Sequence, residues 1–435
     1  MMLTEEQNKR VTQTGPDTPG GALMRRYWHP AALTEELEGE RPAKAVRLLG
    51  EDLVVFRDDQ GRYGLVARRC PHRGVDLAFG RVENGGLRCA FHGWLFDVHG
   101  KCLEQPAEPP DSNFHTKIQH TAYPCEERNG IIFAYMGPGD PPALPAFDCF
   151  AAPDSHTFAF KGLTECNWLQ ALEVGIDPTH GSFLHRFFED EDPSEAYGEN
   201  FKAPMSDPNL PMTLLMREYP CPDIEFEETQ FGLRITALRA LDSERMHVRI
   251  TNQMFPHAIA IPLSNDMIFT QWHDPIDDEN CWWYAIFSSF KQPVDKATMR
   301  AQRLELYTVP DYRPRRNKSN DYGFDPHEQK TETYTGMGHD INVHDTWAVE
   351  SPGAIHDRTT EHLGVSDKVI IGYRRMLMEA IDTVANGATP PGLGTEPVHG
   401  PVAIDTIGPV DSWQSWWKED DLKRRHESGW AQDPW

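Results

Sequence analysis

Four residues in one short stretch have the types and spacing for metal chemistry. In CPHRGVDLAFGRVENGGLRCAFHGW, Cys70 and His72 form one pair and Cys89 and His92 a second, with sixteen residues between the pairs. Two metal chemistries take two thiolates and two imidazoles. Zinc accepts such a set, but its common fingers draw both cysteines from one loop and both histidines from another. Here each loop gives one of each. That suits a [2Fe–2S] centre in which one iron takes both cysteines and the other both histidines. Two similar loops could grip the irons from opposite sides, and Gly74 and Gly93 would let backbone pass close to the cluster.

A second group lies in LEVGIDPTHGSFLH, which holds Glu173, Asp177, His180 and His185. Two neutral imidazoles and one carboxylate make a facial triad for Fe(II), leaving positions open for O₂ and substrate. His180 and His185 are five residues apart, which on an ideal helix is roughly 140° and not one face. Pro178 and Gly181 mark where a helix could be broken to bring them together. Carboxylates for the third position lie in GHDINVHDTWAVESPGAIHDRTTEHLG, where Asp340, Asp345, Glu350 and Asp357 are all candidates. Asp177, followed by Pro178, also has the makings of a helix N-cap with proline in the first turn.

The elements that must carry these residues fall into two kinds. Residues 1 to about 40 have a helical start followed by a loop. From Val46 short strands alternate with turns: VRLLGEDLVVF, YGLVARR, turns at 84–86 and 98–102, and GIIFAYM as a closing strand. The Pro-rich GPGDPPALPAF at 137–147 ends this small antiparallel β domain. The rest reads as α+β. Segments within 212–290 alternate as strands, VDKATMRAQRLELY is amphipathic, and SDKVIIGYRRMLMEAIDTVANG is a helix with Ser366 or Asp367 at its cap and Gly387 at its stop. We expect domains at 1–140 and 141–387. A tail follows at 388–435, whose Trp413, Trp416, Trp417, Trp430 and Trp435 predict packing on the body or on a neighbouring subunit.

Composition narrows the function. The chain has 435 residues, 39% of them apolar, and a formal charge of −25. Such acidity argues against nucleic acid or an anionic membrane as partner. The sequence contains no apolar run long enough for a membrane span, and its start lacks a signal-peptide layout, so a cytoplasmic protein is expected. Eight cysteines are too few and scattered for a disulfide scaffold. Cys102, Cys125, Cys149, Cys166, Cys221 and Cys281 are expected to be buried, reduced and small apolar in character. Trp94 and Trp168 are expected to be packing residues.

One further side chain stands out. In GLRITALRAL, Leu233, Ile235, Ala237 and Arg239 alternate onto one strand face, so Arg239 points the way the core does. A buried arginine needs an anion, and its planar fork fits a carboxylate. That anion is either one of the chain's own acids or the carboxylate of an aromatic substrate.

CPHRG…LRCAFHGW resembles the N-terminal domain of the Rieske non-haem iron oxygenases. MRRYWHP and VRLLGEDLVVFRD resemble their phthalate-dioxygenase-like branch. The likeness runs from about residue 3 to about 385. Within the branch, the half running from ECNWLQALEVGIDPTHGSFLHRFFEDED to DIN is similar to phthalate dioxygenases and more so to oxygenase components of dehydrodivanillate O-demethylases. The resemblance implies a Rieske cluster held by Cys70, His72, Cys89 and His92, and a larger helix-grip-like catalytic domain. It further implies a mononuclear Fe(II) held by His180, His185 and Asp345, with Asp177 linking a cluster histidine of one subunit to an iron histidine of the next in a homotrimer or a pair of trimers. Electrons would come from NAD(P)H through a separate ferredoxin or flavin reductase, since the chain has no GxGxxG. The implied reaction, on an aromatic small molecule with O₂, is O-demethylation of a methoxylated, possibly biaryl, lignin-type carboxylate with release of formaldehyde, or ring cis-dihydroxylation of a carboxylate such as a phthalate. A Rieske electron carrier without oxygenase activity and a zinc-binding interaction module are the rivals from other classes.

Overall fold

The computed structural model describes residues 2–189, 210–393 and 400–434. They divide into two compact units, Gln13–Pro142 with Asp274–Asp278, and Met1–Thr12 with Ala143–His273 and Glu279–Trp435. Both rest on antiparallel pairing, and the class is α+β, as expected.

The smaller unit is built of three antiparallel sheets. One joins Ala43–Leu48, Glu51–Arg57, Tyr63–Ala67 and Ala122–Tyr123. A second is a meander of Arg81–Glu83, Gly86–Arg88, Leu95–Phe96 and Cys102–Glu104. The third pairs Ile131–Tyr135 with Trp28–Leu33 on one side and Cys125–Arg128 on the other. Val54, Phe56, Val66, Leu87, Trp94 and Phe96 form a core that also contains Cys70 and Cys89. The expected loop before residue 40 holds a helix, Pro19–Met24, capped by the Thr18 hydroxyl, and the strand Trp28–Leu33. A proline at the first position of that helix costs it no hydrogen bond.

In the larger unit, strands run in the spatial order Thr157–Thr164, Cys281–Ser289, Met267–Pro275, Ala258–Pro262, Arg245–Met254, Gly232–Ala240 and Asp223–Thr229. Ile404–Pro409, from beyond residue 387, joins the same sheet against Arg245–Ile250. The helix Trp168–Gly175, capped by the Asn167 side chain, lies close to this sheet. A Cβ on Gly175 would sit 2.4 Å from Ile259 Cδ1, so a larger residue there would require that side chain to shift. Lys368–Ala385 is the expected long helix, ended by Gly387 at φ +75. Asp367 occupies its cap position but turns its carboxylate to the Gly364 N–H. Met212–Glu218 is a helix, contrary to the strand expected there. Its Met, Leu and Thr residues fit either period over so short a run.

Trp417 is buried against Leu238, Val248 and Ile404, and Trp430 stacks on Phe290 at 5.1 Å between ring centroids. Trp416 is partly exposed, and Trp435 lies outside the described residues. Cys102, Cys149, Cys166 and Cys281 are buried and outside any disulfide. Cys125 is half-buried. Cys221 departs from expectation: it is exposed, in the turn between Met212–Glu218 and the next strand.

Candidate iron sites

The two Cys/His pairs sit on loops of the same design. Cys70 donates its N–H to Val75 O and accepts from Gly74 N at 2.8 Å. Cys89 donates to Trp94 O and accepts from Gly93 N at 3.0 Å. Gly74 and Gly93 take φ of +73 and +76, the left-handed turn that each tight loop requires. Both thiols point inward, Cys70 only 2% exposed, while His72 is exposed and His92 half-buried. The imidazole centroids are 4.5 Å apart, and His72 stacks on Trp94 at 4.5 Å. Burial, with Cys89 beside it, pushes the Cys70 thiol up to about 11. A thiol pair in such a place becomes thiolate when metal charge stabilises it. The His92 Nδ1 is buried without a hydrogen-bond partner, as a ring nitrogen meant for a metal would be. Two inner sulfurs and two outer imidazoles fit a [2Fe–2S] group whose histidine-bound iron faces outward.

The second set is assembled from a broken helix and a whole one. Trp168–Gly175 stops before Asp177, and Asp177 caps no helix. Its Oδ1 instead accepts from Thr179 N and Oγ1, at 2.8 and 2.6 Å, and so turns the chain. His180 opens a single 3₁₀ turn, His180–Ser182, and His185 follows three residues after it. Asp345 projects from the helix Ile341–Glu350. Each of the three can offer a ligand atom within 4.8 Å of the others. Asp345 Oδ1 lies 3.2 Å from His185 Nε2 and 3.9 Å from His180 Nε2. Burial raises Asp345, but the two imidazoles outweigh it and hold the carboxylate below its usual range.

The hydrogen bonds assign the ring protons. His180 Nδ1 lies 2.5 Å from the Asp177 carbonyl, which can only accept, so the proton is on Nδ1 and Nε2 is bare. His344, missed in the sequence reading, does the same for His185 through one more ring. His344 Nε2 donates to Gly338 O at 2.8 Å, leaving its Nδ1 as an acceptor 3.4 Å from His185 Nδ1. Burial keeps His344 neutral, down to about 4. With Nδ1 of each ring engaged in this way, Nε2 is the nitrogen that both iron-ligand candidates turn towards Asp345 and have left for a metal.

The other carboxylates considered are occupied elsewhere. Glu173 is buried between Arg358 and Arg374, at 2.9 and 2.6 Å. Asp340 caps its helix through Asn342 N. Glu350 accepts from Tyr322 Oη and Glu165 N. Asp357 is exposed and caps a turn at Thr359. Trp168 is buried in the core.

His180, His185 and Asp345 open onto a cavity of about 1060 Å³. Its lining includes alternate residues of three strands of this sheet: Ile235, Ala237 and Arg239, then Arg249 and Thr251, then Met267, Phe269, Gln271 and His273. Arg239 is 3% exposed, donates Nε to Tyr219 O, and has a buried Nη1 with no partner. The nearby Asp405 is held by His247 at 3.0 Å and Arg249 at 2.7 Å. Among the described residues no ion pair joins Arg239 to a carboxylate, and the Asp405 charge only favours it from a distance. Burial and Arg249 lower its pKa to about 10, and it is still a cation at neutral pH. Asp405 and His273 were not singled out from sequence. Asp405 lies beyond the expected catalytic domain, and His273 was one histidine of 19. Burial pushes His273 down to about 3, against the pull of Asp345, so its ring is neutral.

Two family models match, a Rieske [2Fe-2S] domain over residues 27–123 and a "LigXa C-terminal domain like" region over 134–427. The chain is 36% identical to the phthalate 4,5-dioxygenase oxygenase subunit of Pseudomonas putida, over 91% of this chain and 90% of that one. It is 32% identical to the 5,5'-dehydrodivanillate O-demethylase oxygenase subunit of a Sphingobium strain, over 93% and 87%. The order of these identities is the reverse of that expected from the motifs. The fold is similar to that of NdmA with caffeine from Pseudomonas putida CBB5, with a TM-score of 0.58 at 22% identity over 84% of this chain and 93% of that one. The chain belongs to the Rieske non-haem iron oxygenases as an oxygenase subunit, an enzyme of the kind that carries a [2Fe–2S] cluster and a mononuclear iron.

Proposed function

We propose that this enzyme O-demethylates a methoxylated aromatic carboxylate, and that Arg239 holds the carboxylate. The observation that carries the reading is the buried Arg239, whose Nη1 has no hydrogen-bond partner, in the same cavity as the His180, His185 and Asp345 donors. A guanidinium taken out of water without an anion is costly, and a carboxylate answers it with two parallel hydrogen bonds. The apolar lining between, with Ile235, Ala237, Phe269 and Trp283, suits aromatic rings.

Cys70, His72, Cys89 and His92 would hold the cluster, and His180, His185 and Asp345 the iron. Iron held there, with the cluster as its source of single electrons, would supply the activation of O₂. The chain's residues do the rest. Arg239 would orient the substrate, the backbone carbonyl of Asp177 and the His344 ring would hold the ligand rings by Nδ1 with Nε2 towards the iron, and the apolar walls would exclude water. Hydroxylation of the methyl consumes O₂, two electrons and two protons, and releases water. The resulting hemiacetal collapses to a phenol and formaldehyde.

Electrons would arrive from NAD(P)H through a ferredoxin or flavin reductase. The active form would be a homotrimer, or a pair of trimers, with Asp177 between one subunit's iron and its neighbour's cluster, in the cytoplasm. The phthalate dioxygenase relative supports a second reading, cis-dihydroxylation of an aromatic carboxylate such as a phthalate. Methoxylated and unsubstituted aromatic acids, offered with a surrogate reductase, separate the two. Formaldehyde in step with oxygen uptake supports demethylation. A cis-diol without formaldehyde overturns it.

A further inference from the structure

The polar side chains that line the iron cavity differ in one respect: whether the protein already satisfies them. Arg249 is paired with Asp405, and Gln271 accepts from Trp283 Nε1 at 2.6 Å. Arg239 keeps one free arm, accounted for above by a carboxylate. His273 is unlike all of these. It is 6% exposed, and both of its ring nitrogens are buried without a hydrogen-bond partner.

Its direction is set by the sheet. Along Met267–Pro275, residues Met267, Phe269, Gln271 and His273 alternate onto the cavity face. The backbone N–H of His273 is held by His257 O at 2.9 Å, which fixes the strand there. Buried polar groups are almost always satisfied, and one left open towards a cavity marks where a ligand's polar atom belongs.

The ring's chemistry limits what that atom is. A neutral imidazole offers one N–H donor and one bare acceptor nitrogen. It therefore does not compete with Arg239 for a carboxylate. It suits a group that both donates and accepts, which on an aromatic ring is a phenolic hydroxyl.

We propose that His273 is a specificity-determining residue of this cavity, hydrogen-bonded to a phenolic hydroxyl of the substrate. The inference rests on the aromatic-carboxylate reading above and narrows it: the substrate carries a free hydroxyl as well as its carboxylate. A site that rejects an analogue lacking a hydroxyl does so because its own polar groups are then left unpaired.

The test is a set of dissociation constants measured by calorimetry on the iron-loaded enzyme. Vanillate is compared with meta-methoxybenzoate, and isovanillate with para-methoxybenzoate, each pair differing only in the hydroxyl. The wild type should bind the hydroxylated member of at least one pair about tenfold or more tightly, the factor that one net hydrogen bond gives. His273→Leu should abolish that preference while binding the deoxy acid as well as before. His273→Gln, which still donates and accepts, should keep part of it. The visible cluster spectrum reports on folding, and His273→Phe replaces the leucine variant if the latter does not fold. Equal binding within both pairs by the wild type, or a preference that survives His273→Leu, overturns the assignment of His273 alone. A wild type that binds none of the four acids overturns it together with the aromatic-carboxylate reading.

Discussion

The Nδ1 atoms of His185 and His344 face each other at 3.4 Å, and the far nitrogen of His344 is tied to the Gly338 carbonyl. With the Nε2 proton of His344 on that carbonyl, its Nδ1 accepts from His185 Nδ1, and Nε2 is the His185 nitrogen left to face a metal. His344→Leu should therefore weaken iron binding by roughly 10–100-fold, the usual effect of losing a ligand's hydrogen-bond partner. His344→Gln should restore most of it, because an amide also donates at one end and accepts at the other. Iron retention against a chelator is the measurement. Equal retention by the leucine variant and the wild type would contradict the relay.

The cluster assignment makes a spectroscopic prediction. Cys89→Ser should remove the red-brown colour and the Rieske electron-resonance signal. A normal signal in that variant would exclude Cys89 as a ligand.

For Arg239, the expected effect lies in substrate binding. Removing a desolvated charge partner typically costs about 2–5 kcal/mol. Arg239→Met should raise KM for a methoxylated aromatic acid far more than for its uncharged methyl ester, with the melting temperature little changed. Equal effects on acid and ester, or loss of folding, would mean that Arg239 supports structure only.

Asp177 uses Oδ1 locally, on Thr179. In a trimer its other oxygen would be available to a histidine of the neighbouring subunit's cluster. Asp177→Asn should then leave cluster colour and iron content intact but slow single-turnover electron transfer by orders of magnitude. A fully active monomer in solution scattering and assay would remove the basis for that role.

How far the site was legible follows from its chemistry. The Cys/His pairs are local, one on each of two tight loops, so spacing alone exposes them. His180 and His185 are local too, but the ideal-helix angle counted against them, and the turn made by Asp177 on Thr179 is what brings the rings to 5.0 Å. Asp345 could not be separated from Asp340, Glu350 and Asp357 by residue type. Their fates as a cap, a hydrogen-bond acceptor and an exposed turn residue are tertiary facts. His344 is next to Asp345 in sequence, yet its role depends on Gly338 O, at the other end of a turn. The strand pattern likewise pointed Arg239 inward but could not show that Asp405, 166 positions later, is already held by Arg249 and His247. Met212–Glu218 was misread because seven residues are too few for a period to declare itself.

The central claim is that one chain holds an electron relay on twin loops and a separate iron at His180, His185 and Asp345. Iron analysis of purified His185→Ala, read beside its visible spectrum, tests it most directly. The account predicts full cluster colour, loss of the mononuclear iron and no formaldehyde from any methoxylated acid. Wild-type iron content with undiminished turnover would contradict it.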